Sequence, residues 1–274
     1  PWISSAMDRE LLKPNGMILT TGPTGSGKTT TLYAFLRKVY KPGVKIITLE
    51  DPIEYHLAGV EQTQVDPGAG YDFAGGLRSI LRQDPDVILV GEIRDLETAQ
   101  TAMHASLTGH LVFSTLHTNN AAGTIPRLLD LGVDPAIVAP AINVAMAQRL
   151  VRKLCAKCKK EYRPSVAEIA AIQKEIAALP PAVPKPGIRP PFKLWQAVGC
   201  GECNGTGYKS RIGVFEIILV DDQVEPLVFR KPSEVDLKNA MREQGQITMR
   251  QDGILKVLDG ITDLAEVERV VGAG

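Results

Sequence analysis

The chain has 274 residues, 44% hydrophobic and 23% charged, which supplies a sizeable core and excludes wholesale disorder. Thirty-one basic residues balance thirty-one acidic ones, and that zero net charge argues against a globally basic nucleic-acid binder. No apolar run reaches the roughly 18 residues of a membrane span, and no basic segment followed by an apolar one opens the chain, so neither a transmembrane helix nor a signal peptide is expected. A start at Pro1 rather than Met reads as a fragment of a longer chain.

In chain order, four short aliphatic and β-branched runs alternate with helical patterns up to about residue 150. They are Gly16-Met17-Ile18-Leu19-Thr20-Thr21, Val44-Lys45-Ile46-Ile47-Thr48-Leu49, Val87-Ile88-Leu89-Val90 and Leu111-Val112-Phe113-Ser114-Thr115-Leu116. That alternation predicts a parallel α/β sheet. A polar or charged group follows each run: a glycine-rich loop, Glu50-Asp51, Glu92 and His117. Open α/β sheets bind ligands at the carboxyl ends of their strands, so one shared site is expected there.

Beyond Arg149 the texture changes. Residues 153–160 are basic, and Ser165-Val166-Ala167-Glu168 is a capping box opening a helix to about Leu179. Prolines 180, 181, 184, 186, 190 and 191 then predict a loop or extended linker. A strand is expected over 212–219, and helices near Ser233 and Asp263, each with an acid three residues on (Asp236, Glu266). The expected division is a core over 1–150, a cysteine-bearing subdomain over 151–211 and a C-terminal strand and helical region over 212–274. There is no internal repeat.

Gly22-Pro23-Thr24-Gly25-Ser26-Gly27-Lys28-Thr29 satisfies G-x-x-x-x-G-K-[ST], with a strand before it and a helical pattern from Thr30 to Lys38 after it. Its glycines let backbone N–H groups turn inward around a phosphate at a helix's positive end. Lys28 can reach the β and γ phosphates and the Thr29 hydroxyl can ligate Mg²⁺; these eight residues and Thr30 form the expected ATP-binding set. Hydrolysis also needs an acid near Mg²⁺ and a group that positions water. Glu92, after the 87–90 run, is the candidate base, set against a surface glutamate paired with Arg94 or Arg152. Glu50, Asp51 and Glu54 crowd three carboxylates into five residues, which a cation would relieve. Glu50 or Asp51 is the expected Mg²⁺ ligand, directly or through water, and the choice of Glu50 or Glu92 as water activator stays open. His117 is a candidate γ-phosphate sensor, His104 reads as structural and His56 stays undecided. Arg78, Arg82 and Arg94 are candidates for transition-state charge, each balanced by an ordinary ion-pairing role.

Cys155-Ala156-Lys157-Cys158 and Cys200-Gly201-Glu202-Cys203 use every cysteine in the chain. Four thiolates complete a closed tetrahedral Zn²⁺ shell, a structural site, with reduced thiols or a redox pair as the alternative. Gly205 and Gly207 would let the backbone wrap the metal, and the lysines beside the first pair would offset its negative charge.

Taken together, these residues resemble the secretion ATPases that drive type II secretion and type IV pilus assembly. Residues 22–29 look like that family's Walker A and 47–54 like its Asp box. Residues 81–95 look like its Walker B, with Gly91 where an aspartate usually stands, and 108–119 like its His box. The resemblance covers essentially the whole chain. It implies a RecA-like P-loop core with a mainly parallel sheet, a small Cys₄ zinc-binding insertion and a C-terminal helical region. It also implies a hexameric ring with ATP near subunit boundaries, and N-terminal domains that bring arginines to ATP and dock on an inner-membrane platform protein. The expected location is cytoplasmic, peripheral to the inner membrane through partners. The tetracysteine region favours assembly over retraction ATPases, and Asn120 departs from the family's usual aspartate. Two other classes compete with the motor: a nucleic-acid translocase on the same core, disfavoured by 5% aromatic content and balanced charge, and a nucleotide-dependent scaffold without useful turnover.

Overall fold

The structure, a computed structural model, describes residues 2–181, 183 and 193–272. It is an α/β fold dominated by a mainly parallel sheet. In order come α1 (Trp2–Glu10), β1 (Gly16–Thr21), α2 (Lys28–Val39), β2 (Ile46–Glu50), β3 (Glu61–Gln64), α3 (Phe73–Leu81), β4 (Val87–Val90), α4 (Leu96–Leu107) and β5 (Leu111–Leu116). Next are α5 (Thr124–Asp130), α6 (Pro135–Ala141), β6 (Ile142–Leu154), β7 (Lys160–Tyr162), α7 (Val166–Ala177), β8 (Leu194–Gln196) and β9 (Tyr208–Leu219). The chain ends with α8 (Glu225–Phe229), α9 (Glu234–Glu243), α10 (Met249–Leu258) and α11 (Leu264–Val271). Two compact units divide them: residues 1–147 with 217–244, and 148–216 with 245–274.

The sheet runs β3-β2-β4-β5-β1-β6-β9. β1 pairs in parallel with β5 and β6, β4 with β5 and β2, and β2 with β3. Every residue of β1, β2, β4 and β5 is buried, as expected of central parallel strands covered on both faces. The register sets the chemistry. Thr21 lies opposite Leu116, Val90 opposite Ser114 and Leu49 opposite Val90, so the segments after β1, β5, β4 and β2 leave the same edge of the sheet.

The second predicted strand is displaced: Val44 closes a turn by donating its N–H to the Lys41 carbonyl, 3.1 Å away. β2 therefore starts at Ile46 and keeps Glu50 as its last, buried residue. β9 begins four residues before the predicted 212. Polar β3 carries no apolar alternation, and β6 reads Ile-Asn-Val-Ala-Met-Ala without a clean period of two. Helix starts obeyed their local chemistry more closely. Ser165 and Ser233 form capping boxes with Glu168 and Asp236, and Asp263 accepts from the Glu266 N–H. Pro180 and Pro181 follow α7 outside helix and strand, whereas prolines 184, 186, 190 and 191 lie outside the described residues.

In the second unit α7, α10 and α11 close on a core of Ile172, Leu194, Ile254, Val257, Leu264 and Val267. Glu266 is buried within it and accepts from the Arg152 backbone N–H at 2.9 Å and its guanidinium at 2.7 Å. Arg269 completes a fork with two contacts of 2.7 Å. Burial opposes ionisation of this carboxyl, yet the hydrogen bonds from Arg269 and Arg152 outweigh it and bring it from 4.5 to about 2. A depressed folded-state value means stability that is full above about 4.5 and is lost as pH falls toward about 2. Calorimetric melting should therefore fall across that window, and Glu266→Gln should flatten the fall while lowering stability at neutral pH.

Candidate nucleotide site and cysteine centre

β1 runs directly into the phosphate-loop sequence. Gly25 and Gly27 hold φ of 77° and 88°, a left-handed region that favours glycine. Gly27 is the N-cap of α2 and no side chain caps it, so the first turn of this 12-residue helix presents its N–H groups to an anion instead. Pro23, Thr24, Gly25 and Thr30 are exposed, Ser26 is buried, and Thr29 is half-buried in the first turn. Lys28 folds back over the loop, its Nζ donating to the Gly22 and Pro23 carbonyls at 2.8 and 3.2 Å. Burial lowers the pKa of its ammonium, and the Glu92 carboxylate offsets part of that lowering. The loop lysine thus lies in the field of the candidate base.

Glu92, two residues past β4, is nearly buried and has a nitrogen-bearing side chain beside each oxygen. Oε1 meets Arg94 Nη2 at 2.6 Å, and Oε2 lies 3.5 Å from His117 Nε2. Backbone bonds fix the segment: Gly91 N–H to the Leu49 carbonyl at 2.7 Å, Ile93 N–H to the Thr115 carbonyl at 3.0 Å, and Thr115 Oγ1 to the Gly91 carbonyl at 2.8 Å. A Cβ at residue 91 would lie 3.2 Å from the Leu49 carbonyl and 3.3 Å from Glu50 Cα, so a side chain would press on β2 by a few tenths of an ångström.

Residue 117 is held by its neighbour. Thr21 Oγ1, at the end of β1, accepts the Thr118 N–H at 2.7 Å and lies 2.7 Å from the Thr118 hydroxyl. Asn120, on the same loop, accepts the Gly123 N–H and donates to Glu234 Oε1, both at 2.7 Å. An aspartate there would set its charge against Glu234.

Glu50 sits in a closed cage of donors. Oε2 accepts the Tyr33 hydroxyl, and Oε1 accepts the Thr48 hydroxyl at 2.5 Å and the Gln62 amide at 3.2 Å. Asp51, Glu54 and His56 are exposed on the segment that follows. His110 bonds the Ala105 carbonyl at 2.9 Å at the end of α4, a structural role, and His104 lies exposed on the same helix. Arg78 pairs with Glu97, Arg82 donates to the Arg78 carbonyl at 3.1 Å, and Arg152 pairs with Glu266 rather than Glu92. Of the arginines considered from sequence, Arg94 alone is recorded against Glu92. Tyr33, Thr48 and Gln62 were missed. Thr48 shares a face with Glu50 at i, i+2, a signal that was available, whereas Tyr33 reads as the apolar face of a helix.

The four cysteine sulfurs lie within 4.8 Å of one another. Cys155–Cys200, Cys158–Cys203 and Cys200–Cys203 measure 4.0, 3.8 and 3.7 Å. A tetrahedron with metal–sulfur bonds of about 2.3 Å has edges of about 3.8 Å, so the donor set fits zinc. The N–H groups of Cys200 and Gly207 each donate to Cys203 Sγ at 3.2 Å, the outer-shell bonding that orients a thiolate ligand. Burial opposes ionisation of Cys203, and these N–H groups outweigh it, bringing the thiol to about 6; burial and neighbouring thiols push Cys158 up to about 11. Lys159 Nζ donates to the Gly260 carbonyl at 2.7 Å and lies over the Trp195 ring.

Residues 3–269 match the family described as Type II/IV secretion system protein. Type II secretion system protein E of Pseudomonas aeruginosa is 50% identical over 264 residues, covering 96% of this chain and 50% of that protein. Type IV pilus assembly ATPase PilB of Myxococcus xanthus is 46% identical, covering 97% of this chain and 45% of its own length. The chain thus spans about half the length of the curated relatives it matches. Among solved structures, the pilus retraction motor PilT with bound ADP aligns at TM-score 0.66 and 28% identity, over 96% of this chain and 62% of that one. Among the described residues no helix is long and apolar enough to cross a membrane.

Proposed function

We propose that this chain, which belongs to the Type II/IV secretion system protein family, hydrolyses ATP to ADP and phosphate as the motor core of a protein-secretion or pilus-assembly machine. The observation that carries the reading is the convergence at one sheet edge: Glu92 lies 3.5 Å from His117 and acts on the Lys28 ammonium. Three separate segments supply those groups.

In this reading backbone N–H groups of Thr24 to Thr30 cradle the phosphates and Lys28 leaves the Gly22 and Pro23 carbonyls to bind β and γ oxygens. The Thr29 hydroxyl and Asp51 would hold Mg²⁺ or its water shell, and the metal would supply neutralisation of phosphate charge. Glu92 takes the proton of the attacking water and His117 orients that carboxylate and reads the γ-phosphate. Glu50 fixes the Asp-box segment. Zinc on Cys155, Cys158, Cys200 and Cys203 closes a structural site.

The names of the relatives support a type II secretion or pilus-assembly client. The chain works as a homo-oligomeric ring, a hexamer, on an inner-membrane platform protein at the cytoplasmic face. The unit of residues 1–147 with 217–244 carries the ATPase site, and the unit of 148–216 with 245–274 carries the four cysteines. Nucleic acid is no partner in this account. Phosphate release tests the activity: Lys28→Ala should lower it at least about 100-fold and weaken ATP binding. Unchanged turnover would remove the assignment.

A further inference from the structure

The donor cage around Glu50 is unusual for a residue carried on the edge of a ligand site. The residue is 3% exposed, and the three side chains bonded to it, from Tyr33, Thr48 and Gln62, are all neutral donors. A buried carboxylate is costly unless its lone pairs are filled, so each donor has an electrostatic reason to stay. Thr48 and Gln62 belong to the sheet and lie opposite each other in register. Tyr33 does not. It sits fully buried on α2, about one and a half turns after Lys28.

Tyr33 also grips the segment beyond Glu50. Its ring meets Tyr55 edge-on with centroids 4.7 Å apart, and Arg37, one turn along α2, lies over the Tyr55 ring at 5.8 Å. Gln62 closes the loop by donating to the Tyr33 hydroxyl and to the Tyr55 carbonyl, both at 3.2 Å. On the other side a Cβ at residue 91 would come within 3.3 Å of Glu50 Cα, a tight contact. Glu50 is thus clamped between β4 and the helix that begins at the phosphate-loop lysine.

We infer that Tyr33 is a positioning residue for ATP hydrolysis: its hydroxyl on Glu50 and its ring on Tyr55 fix residues 50–55 to the phosphate-loop helix, which sets where Asp51 stands toward Mg²⁺. The inference rests on the ATPase reading above. It divides the labour between two glutamates that sequence could not separate, with Glu50 as an anchor and Glu92 as the base.

Tyr33→Phe in the full-length protein keeps the ring and removes the hydroxyl alone. The expected result is a kcat lower by about 10- to 100-fold, with KM for ATP within about twofold. The Mg²⁺ concentration for half-maximal rate should rise several-fold. Gln62→Met, which removes the ties to Tyr33 and Tyr55 together with one donor to Glu50, should give the same signature and carries the test if Tyr33→Phe does not fold. A lower melting temperature with kcat and Mg²⁺ requirement unchanged would overturn the inference and leave Tyr33 as core packing. A raised KM with kcat unchanged would also overturn it. Wild-type protein without ATPase activity would instead remove the parent reading, and Lys28→Ala separates the two failures.

Discussion

Replacing Glu92 by glutamine should lower kcat for ATP hydrolysis by about 10²- to 10⁴-fold while ATP binding survives. The amide preserves shape and both neighbours, yet it cannot take a proton from water. Arg94, 2.6 Å from Oε1, is two-thirds exposed, so water can solvate its guanidinium when substrate displaces the contact. His117, 3.5 Å from Oε2, would hold the other oxygen in place. Loss of the carboxylate also removes the charge that offsets desolvation of Lys28, which lowers the lysine's pKa further. Phosphate release and equilibrium binding of a fluorescent ATP analogue measure the two effects separately. Weakened binding with a normal maximal rate would assign Glu92 to nucleotide affinity instead.

The second large effect concerns zinc. Structural zinc contributes apparent binding energies of about 10–16 kcal/mol in small finger peptides. The second unit here has its own apolar core around Ile172, Ile254 and Val267, so it does not depend on metal for all of its stability. Losing even about 3 kcal/mol from a domain of 60–100 residues lowers Tm by about 12–24 °C. Chelation, or Cys203→Ser, should produce a drop of that order, and added Zn²⁺ should restore the chelated protein but not the variant. Cys203 is the most telling position because its sulfur accepts N–H groups of both Cys200 and Gly207. Metal analysis that finds no zinc in protein purified without chelator would contradict this account.

Much of this architecture was legible from local rules. Strands buried on both faces announce themselves as aliphatic runs, and capping residues such as Ser165 and Ser233 mark helix starts by hydrogen-bonding chemistry confined to four residues. The same reasoning loses β3, because Glu61-Gln62-Thr63-Gln64 carries no apolar face, and α10, although Thr248 and Gln251 form a capping box there. At the site, the phosphate loop and Glu92 are named by motif and strand-end position. The partners of Glu50 are not. Tyr33 and Gln62 lie 17 residues before and 12 after it, and only folding brings a helix, an edge strand and an inner strand onto one carboxylate. A tyrosine at an apolar helix position reads as core, and its hydroxyl acquires a purpose only when its acceptor is visible. Gly91 is a similar case, since the close approach of Glu50 Cα to it is visible only in the fold.

The most direct test is a structure of the protein with Mg²⁺ and a non-hydrolysable ATP analogue. Lys28 Nζ should have left the carbonyls of Gly22 and Pro23, where it rests at 2.8 and 3.2 Å, for β and γ oxygens. Glu92 should then stand within one water of the γ-phosphorus, with His117 beside it. A triphosphate bound away from the loop, or Glu92 remaining many ångströms from the γ-phosphate with Lys28 unmoved, would contradict the shared-site account.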